Sequence, residues 1–140
     1  MLKLGALFKM NPIKIKTGQK EELLDITPII KEAVKSSGIK DGFCIIYVPH
    51  TTAGVTINEN ADPSVKEDMI GTLRKIVPDS LTYTHAEGNS PAHIKASLIG
   101  SSVEILIENR TLVLGTWQGI FLCEFDGPRQ RQIYLKIFNG

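Results

Sequence analysis

An α+β fold with a largely antiparallel sheet is predicted by three features of the sequence. β-rich runs stand near the start, proline-bounded segments of helical periodicity fill the middle, and a series of β-rich runs occupies residues 103–138.

Taken in order, residues 7–16 alternate apolar and polar side chains around Pro12, which predicts an opening strand near a sheet edge, because proline cannot donate to a ladder. Leu23, Ile26, Ile29, Ile30, Ala33 and Val34 recur at helical spacing, with Thr27 as N-cap, Pro28 at the first helical position and Gly38 as the stop. Asp41-Gly42 is a turn into the β-rich run 43–48, and residues 53–57 read as its continuation or its partner. Asp62-Pro63 opens a second helix that runs to about Ile76, with Val65, Met69, Leu73 and Ile76 on its apolar face. Acids early and Arg74-Lys75 late suit its dipole, and Pro78 ends it. A third helix is capped by Ser90, has Pro91 at its first position and stops before Gly100. Four strands follow at 103–107, 111–114, 119–125 and 130–138, separated by Asn109-Arg110, Gly115 and Asp126-Gly127-Pro128.

The 140 residues suit one compact domain spanning 1–140. A net charge of +1 argues against broad nucleic-acid binding, and no apolar run approaches the roughly 18 residues of a membrane span. Residues 1–10 carry Lys3 and Lys9 but no small-residue cleavage pattern, so no signal peptide is read and a cytoplasmic location is expected. Cys44 and Cys123 lie inside apolar runs and read as small core residues, not as a disulfide.

All three histidines stand at element boundaries among small or polar residues: Pro49-His50-Thr51-Thr52, Thr84-His85-Ala86-Glu87-Gly88-Asn89 and Pro91-Ala92-His93. Such places are where a scaffold presents functional side chains. Two readings stand: separate, individually satisfied imidazoles, or a set gathered on zinc with the fourth position open. His93 falls in the first turn of its helix, where the positive dipole end favours a neutral ring, and the same helix start offers backbone donors to a phosphate.

Arg129 and Arg131 are two apart, so on a strand both leave one face. They form either an anion clamp or ion pairs with Glu124 and Asp126. Glu59, Asn60 and Asp62 follow the strand after His50; a carboxylate there can act as general base, support an imidazole or bind a second metal, while Asp62 also suits a helix start. Trp117-Gln118 combines an aromatic surface with an amide able to bond a heterocycle, or buries its indole in the core.

The ordered segments His50-Thr51-Thr52-Ala53-Gly54, Asn58-Glu59-Asn60, His85 with Glu87-Gly88-Asn89, Ala92-His93, Leu114-Gly115-Thr116-Trp117-Gln118 and residues 124–131 together resemble the YjbQ-type family, across residues 13–138. Arg110 departs from it, standing where the family more often has Gly. The resemblance implies an α+β sandwich with two to three short helices, assembled as a homotrimer with a pocket at or near the subunit boundary. It carries His50, His85 and His93 over as metal ligands, Asn89 and Ser90 as anion-pocket residues, and Glu59 and Gln118 as the catalytic wall. Arg129 or Arg131 would reach the pocket or support the assembly.

The function implied is secondary thiamine-phosphate synthase activity, joining a pyrimidine methyl diphosphate to a thiazole phosphate. Diphosphate chemistry usually recruits Mg²⁺ through carboxylates, whereas three imidazoles suit zinc. A zinc-dependent hydrolase or lyase on a small phosphorylated metabolite uses the same residues, and a non-catalytic metal- or ligand-binding trimer is the reading from another class.

Overall fold

The structure is a computed structural model that describes residues 10–140. Residues 7–9 of the expected opening strand, and all but the last residue of the segment weighed as a signal peptide, lie outside the described residues.

Among the described residues, eight strands and three helices follow the order β1 (Ile13–Lys16), β2 (Glu22–Asp25), α1 (Thr27–Ser37), β3 (Gly42–Tyr47), β4 (Ala53–Glu59), α2 (Pro63–Ile76), α3 (Ser90–Ile99), β5 (Ser102–Glu108), β6 (Thr111–Leu112), β7 (Gln118–Glu124) and β8 (Gln130–Asn139). They build a five-stranded sheet, β1-β8-β3-β5-β6, and a three-stranded sheet, β2-β7-β4. Every ladder is antiparallel.

Alternation along the strands explains the layers. Cys44 and Ile46 of β3, Ile105 and Ile107 of β5 and Ile133 of β8 meet Val55, Ile120 and Leu122 of the small sheet in one cluster, closed by Ile26 and by Ile30 and Val34 of α1. The opposite face of the small sheet, Leu23, Phe121 and Cys123, is covered by Ala92 and Ala96 of α3 and partly by Met69, Ile70 and Leu73 of α2. β7 is therefore buried on both faces, which accounts for its unbroken apolar run. Each fully buried Ile, Leu or Phe here contributes about 1.5–3 kcal/mol through removal of its side chain from water.

Four expectations need correcting. Leu23 belongs to the short strand β2 and not to the first helix, because Leu23 and Leu24 face different clusters, as a period of two requires. The break falls at Asp25, whose carboxylate accepts from Thr27 N at 2.9 Å; Ile26, not Thr27, holds the N-cap position. β4 neither continues β3 nor pairs with it, but crosses to the other sheet beside β7. Ile76, expected on the buried face of α2, is 63% exposed.

Punctuation was more legible. Gly38 closes α1 in the left-handed conformation at φ 73°, and Asn109 and Arg110 both turn the β5–β6 hairpin at positive φ, 51° and 65°. No helix among the described residues is long and apolar enough to cross a membrane.

Candidate functional site

The loop from Val48 to Thr52 carries the chain from the large sheet to the small one, and α3 ends against it. Val48 N donates to Ser101 O at 2.8 Å, and Val55 N to Gly100 O at 3.1 Å. This approach depends on Gly54, where a Cβ would come within 2.6 Å of Gly100 O. His50 is held from the side: its Nε2 accepts from Gln132 N at 2.9 Å. An imidazolium has no lone pair with which to accept, so the ring is neutral with its proton on Nδ1. Burial, followed by the nearby Arg131 charge, lowers the His50 pKa below the ordinary histidine value.

Behind that loop lies a buried ion pair. Arg131 Nε donates to Glu124 Oε1 at 2.8 Å, and its Nη2 binds Glu124 Oε2 and Thr52 Oγ1, the latter at 2.8 Å. Thr17 Oγ1 and Asp126 N satisfy the remaining carboxylate lone pairs at 2.8 and 3.0 Å. Glu124 is fully buried and Arg131 is 5% exposed. Burial raises the Glu124 pKa, but the Arg131, Asp126 and Thr17 hydrogen bonds outweigh it, and the carboxyl titrates below its ordinary range.

His85 and His93 meet edge to face, with ring centres 5.3 Å apart and planes at 85°. His85 opens a turn closed by Gly88 N on its carbonyl at 3.3 Å, and His93 sits on the first turn of α3. His93 also shares an open depression of about 480 Å³ with His50, Thr51, Ser97 and Ser101. His93 is thus the hinge of the constellation: it pairs with His85 and shares a depression with His50. Two imidazoles on one tetrahedral zinc, with Zn–N bonds of about 2.0–2.1 Å, would hold their ring centres roughly 5 Å apart, a spacing that the His85–His93 pair matches. The same spacing suits aromatic packing. Among the described residues, no three His, Cys, Asp or Glu side chains group closely enough to hold a metal. His50 does not complete such a set here, because Gln132 occupies its lone pair.

The α3 start has a different character from the anion pocket expected of it. Asn89 stands at the N-cap position without capping; its Nδ2 donates to Asp126 Oδ2 at 2.9 Å, while its Oδ1 is buried without a partner among the described residues. Asn89 lines a cavity of about 140 Å³ with Glu21, Asp79, Glu87 and Asp126 set against Lys20 and Lys95. Lys95 is already bound to Glu21 at 2.7 Å. Ser90 begins the helix beside this cavity but is not among the residues lining it. Arg129 pairs with Asp126 at 3.0 Å and Arg131 with Glu124, so the two arginines are neutralised and form no open clamp.

Glu59 and Gln118 are partners in register at the far end of β4 and β7. Ala53, at the His50 end, is six residues from Glu59, roughly 20 Å along a strand. Within one chain they do not wall the histidine site. Gln118 Oε1 instead accepts from Gly115 N at 2.8 Å, and Trp117 is 63% exposed rather than core. Asp62 serves the helix start, accepting from Ser64 N at 2.9 Å. Cys44 and Cys123 are free and buried, with thiols pushed up to about 11 and about 12, so neither is a nucleophile.

Comparison with known proteins agrees with this architecture. The "UPF0047 protein YjbQ-like" family model matches residues 11–140. UPF0047 protein MJ1081 of Methanocaldococcus jannaschii is 58% identical over 99% of both chains, and UPF0047 protein YugU of Bacillus subtilis is 47% identical over 93% of this chain and 99% of that one. The crystal structure of a YjbQ/UPF0047 family protein from Clostridium acetobutylicum superposes with a TM-score of 0.89 at 53% identity, over 91% of this chain and 99% of that one. A YbjQ-like protein of Sulfolobus solfataricus gives 0.88 at 35% identity, covering 94% and 97%. The family match, the relatives' identity over nearly the whole chain and the shared fold coincide, and the chain belongs to the UPF0047 YjbQ-like family.

Proposed function

We propose that this protein is a metal-dependent enzyme acting on a small phosphorylated metabolite, with thiamine-phosphate synthase chemistry as the first reaction to test. The observation that carries the reading is the His85–His93 pair opening beside a depression that His93 shares with His50. His85 and His93 would hold the ion, and zinc suits imidazole donors better than Mg²⁺ does. Bound there, the ion would supply positive charge to the oxygens of a phosphorylated substrate. In the synthase reaction a carbon–oxygen bond to diphosphate breaks, a carbon–nitrogen bond to the thiazole forms, and diphosphate leaves. His50 donates to an oxygen from Nδ1, and the Thr51 and Ser101 hydroxyls position it.

A hydrolase or lyase on the same substrate class is the second reading. It is favoured by the lining of the depression within one chain, where no described residue brings a carboxylate, since Mg²⁺-assisted diphosphate departure usually uses carboxylates. In either case Glu59 and Gln118 join the site only from a neighbouring copy, which is what a homotrimer with its pocket at the subunit boundary would supply.

The deciding experiment is elemental analysis of purified protein together with turnover. Stoichiometric zinc lost in both His85→Ala and His93→Ala, with histidine-dependent thiamine phosphate formation, supports the synthase. Phosphate release without coupling moves the assignment to the hydrolase, and unchanged metal content in both variants overturns the metal site.

A further inference from the structure

We infer that the depression between the 48–52 loop and α3 is an oxyanion site in which His50 donates from Nδ1 to a phosphoryl oxygen and is not a metal ligand. This deepens the proposed reading of the same site and rests on it for the substrate class; the assignment of His50 rests on geometry alone.

The first support is the tautomer. Gln132 N donates to Nε2 at 2.9 Å, and Gln132 lies in β8, whose ladders to β1 and β3 fix the position of that N–H. Ligation through Nε2 would require breaking this bond and leaving a part-buried backbone donor unpaired. A neutral imidazole with one nitrogen accepting must donate from the other. No described residue accepts from His50 Nδ1, so that donor is available to a ligand.

The second support is the lining. Thr51 and Ser101 bring hydroxyls, and no Asp or Glu is among the lining residues. Ser97 donates to His93 O at 2.9 Å and offers the depression only its lone pairs. The volume of about 480 Å³ accommodates a phosphate with a small organic group attached.

The third support is the absence of a better anion site at the other candidates named from the sequence. The α3 start faces Glu21, Asp79, Glu87 and Asp126 against Lys20 and a Lys95 already bound to Glu21, so acids outnumber bases there and disfavour an anion. Arg129 and Arg131 are each held by a carboxylate.

The test uses full-length ¹⁵N-labelled protein, inorganic phosphate and zinc. Long-range ¹H–¹⁵N NMR is expected to show His50 protonated at Nδ1. Phosphate should shift the His50 and Ser101 signals saturably, and zinc should shift His85 and His93 while leaving the His50 Nε2 bond to Gln132 intact. His50→Asn keeps a donor at the δ position and should retain phosphate. His50→Gln places its amide one bond further out and should weaken phosphate about tenfold or more. An Nε2-protonated ring, zinc ligation at Nε2, or phosphate shifts confined to Asn89–Ala92 would each overturn the inference. The tautomer is read on the unmodified chain, so it decides the matter even where a variant misfolds. Failure of the metal reading appears separately, as zinc that never touches His85 or His93.

Discussion

The Gln132 backbone N–H and the His50 imidazole are joined by a 2.9 Å hydrogen bond that ties the loop entering the small sheet to the longest strand of the large one. One residue before Gln132, Arg131 binds both oxygens of Glu124 and the side chain of Thr52, so His50 and Thr52 are both anchored to β8.

Breaking that buried pair singly is expected to be severe. Arg131→Met leaves the Glu124 carboxylate buried and unpaired, and should cost about 3–5 kcal/mol in chemical denaturation. The double change Glu124→Leu with Arg131→Met should recover most of that loss, since an apolar pair of similar volume carries no desolvation cost. A double variant as unstable as the single one would show that the pair's hydrogen bonds to Thr17 and Thr52 dominate instead.

Acid stability should report the same pair. Glu124 and Glu21 both have pKa values depressed below the ordinary 4.5, the first held by Arg131 and the second by Lys95 and Arg74 against the opposing effect of burial. In the acid range the unfolded chain binds more protons at these sites than the folded one does. Their stabilisation is fully present above about pH 4.5 and is lost as pH falls through the depressed folded values. Denaturation measured from pH 7 downward should show this loss, and the Glu124→Leu, Arg131→Met double variant should show a smaller one.

Arg110 sits at φ 65° in the β5–β6 turn, a conformation that disfavours side chains with a Cβ. Arg110→Gly should therefore raise stability by about 0.5–1 kcal/mol in thermal denaturation, relief of strain exceeding the added freedom of the unfolded chain. The change lies away from the histidines and should leave zinc content unaltered.

If Glu59 acts on the histidine site of a neighbouring copy, two inactive proteins should rescue each other. Glu59→Ala and His93→Ala, co-refolded, should regain roughly a quarter of the wild-type activity as mixed trimers with one intact shared site. Activity that stays at the level of the separate variants would confine the chemistry to one chain.

Much of the fold was legible because composition and punctuation agreed: the late strands fell where β-rich runs and turn residues placed them, and Pro63 and Gly38 marked real helix boundaries. β2 was hidden because Leu23 and Ile26 also satisfy a helical spacing with Ile29 and Ile30, and a four-residue strand is too short for its own period to prevail. At the site, spacing identified the histidines but not their bonds, since the group holding His50 is a backbone amide distant in the chain, which no residue type announces. The buried charge did leave a trace: Glu124 follows Phe121, Leu122 and Cys123 in a strand without polar alternation, and such a carboxylate needs a cation nearby.

The doubly covered strand β7 has a thermodynamic consequence. Ile120 and Leu122 form a wall of one apolar compartment, while Phe121 and Cys123 line the other. Loss of either compartment strips one side of the same seven residues, so the helical layer and the large sheet should melt as a single cooperative event, with the β7 amides the last to exchange with solvent.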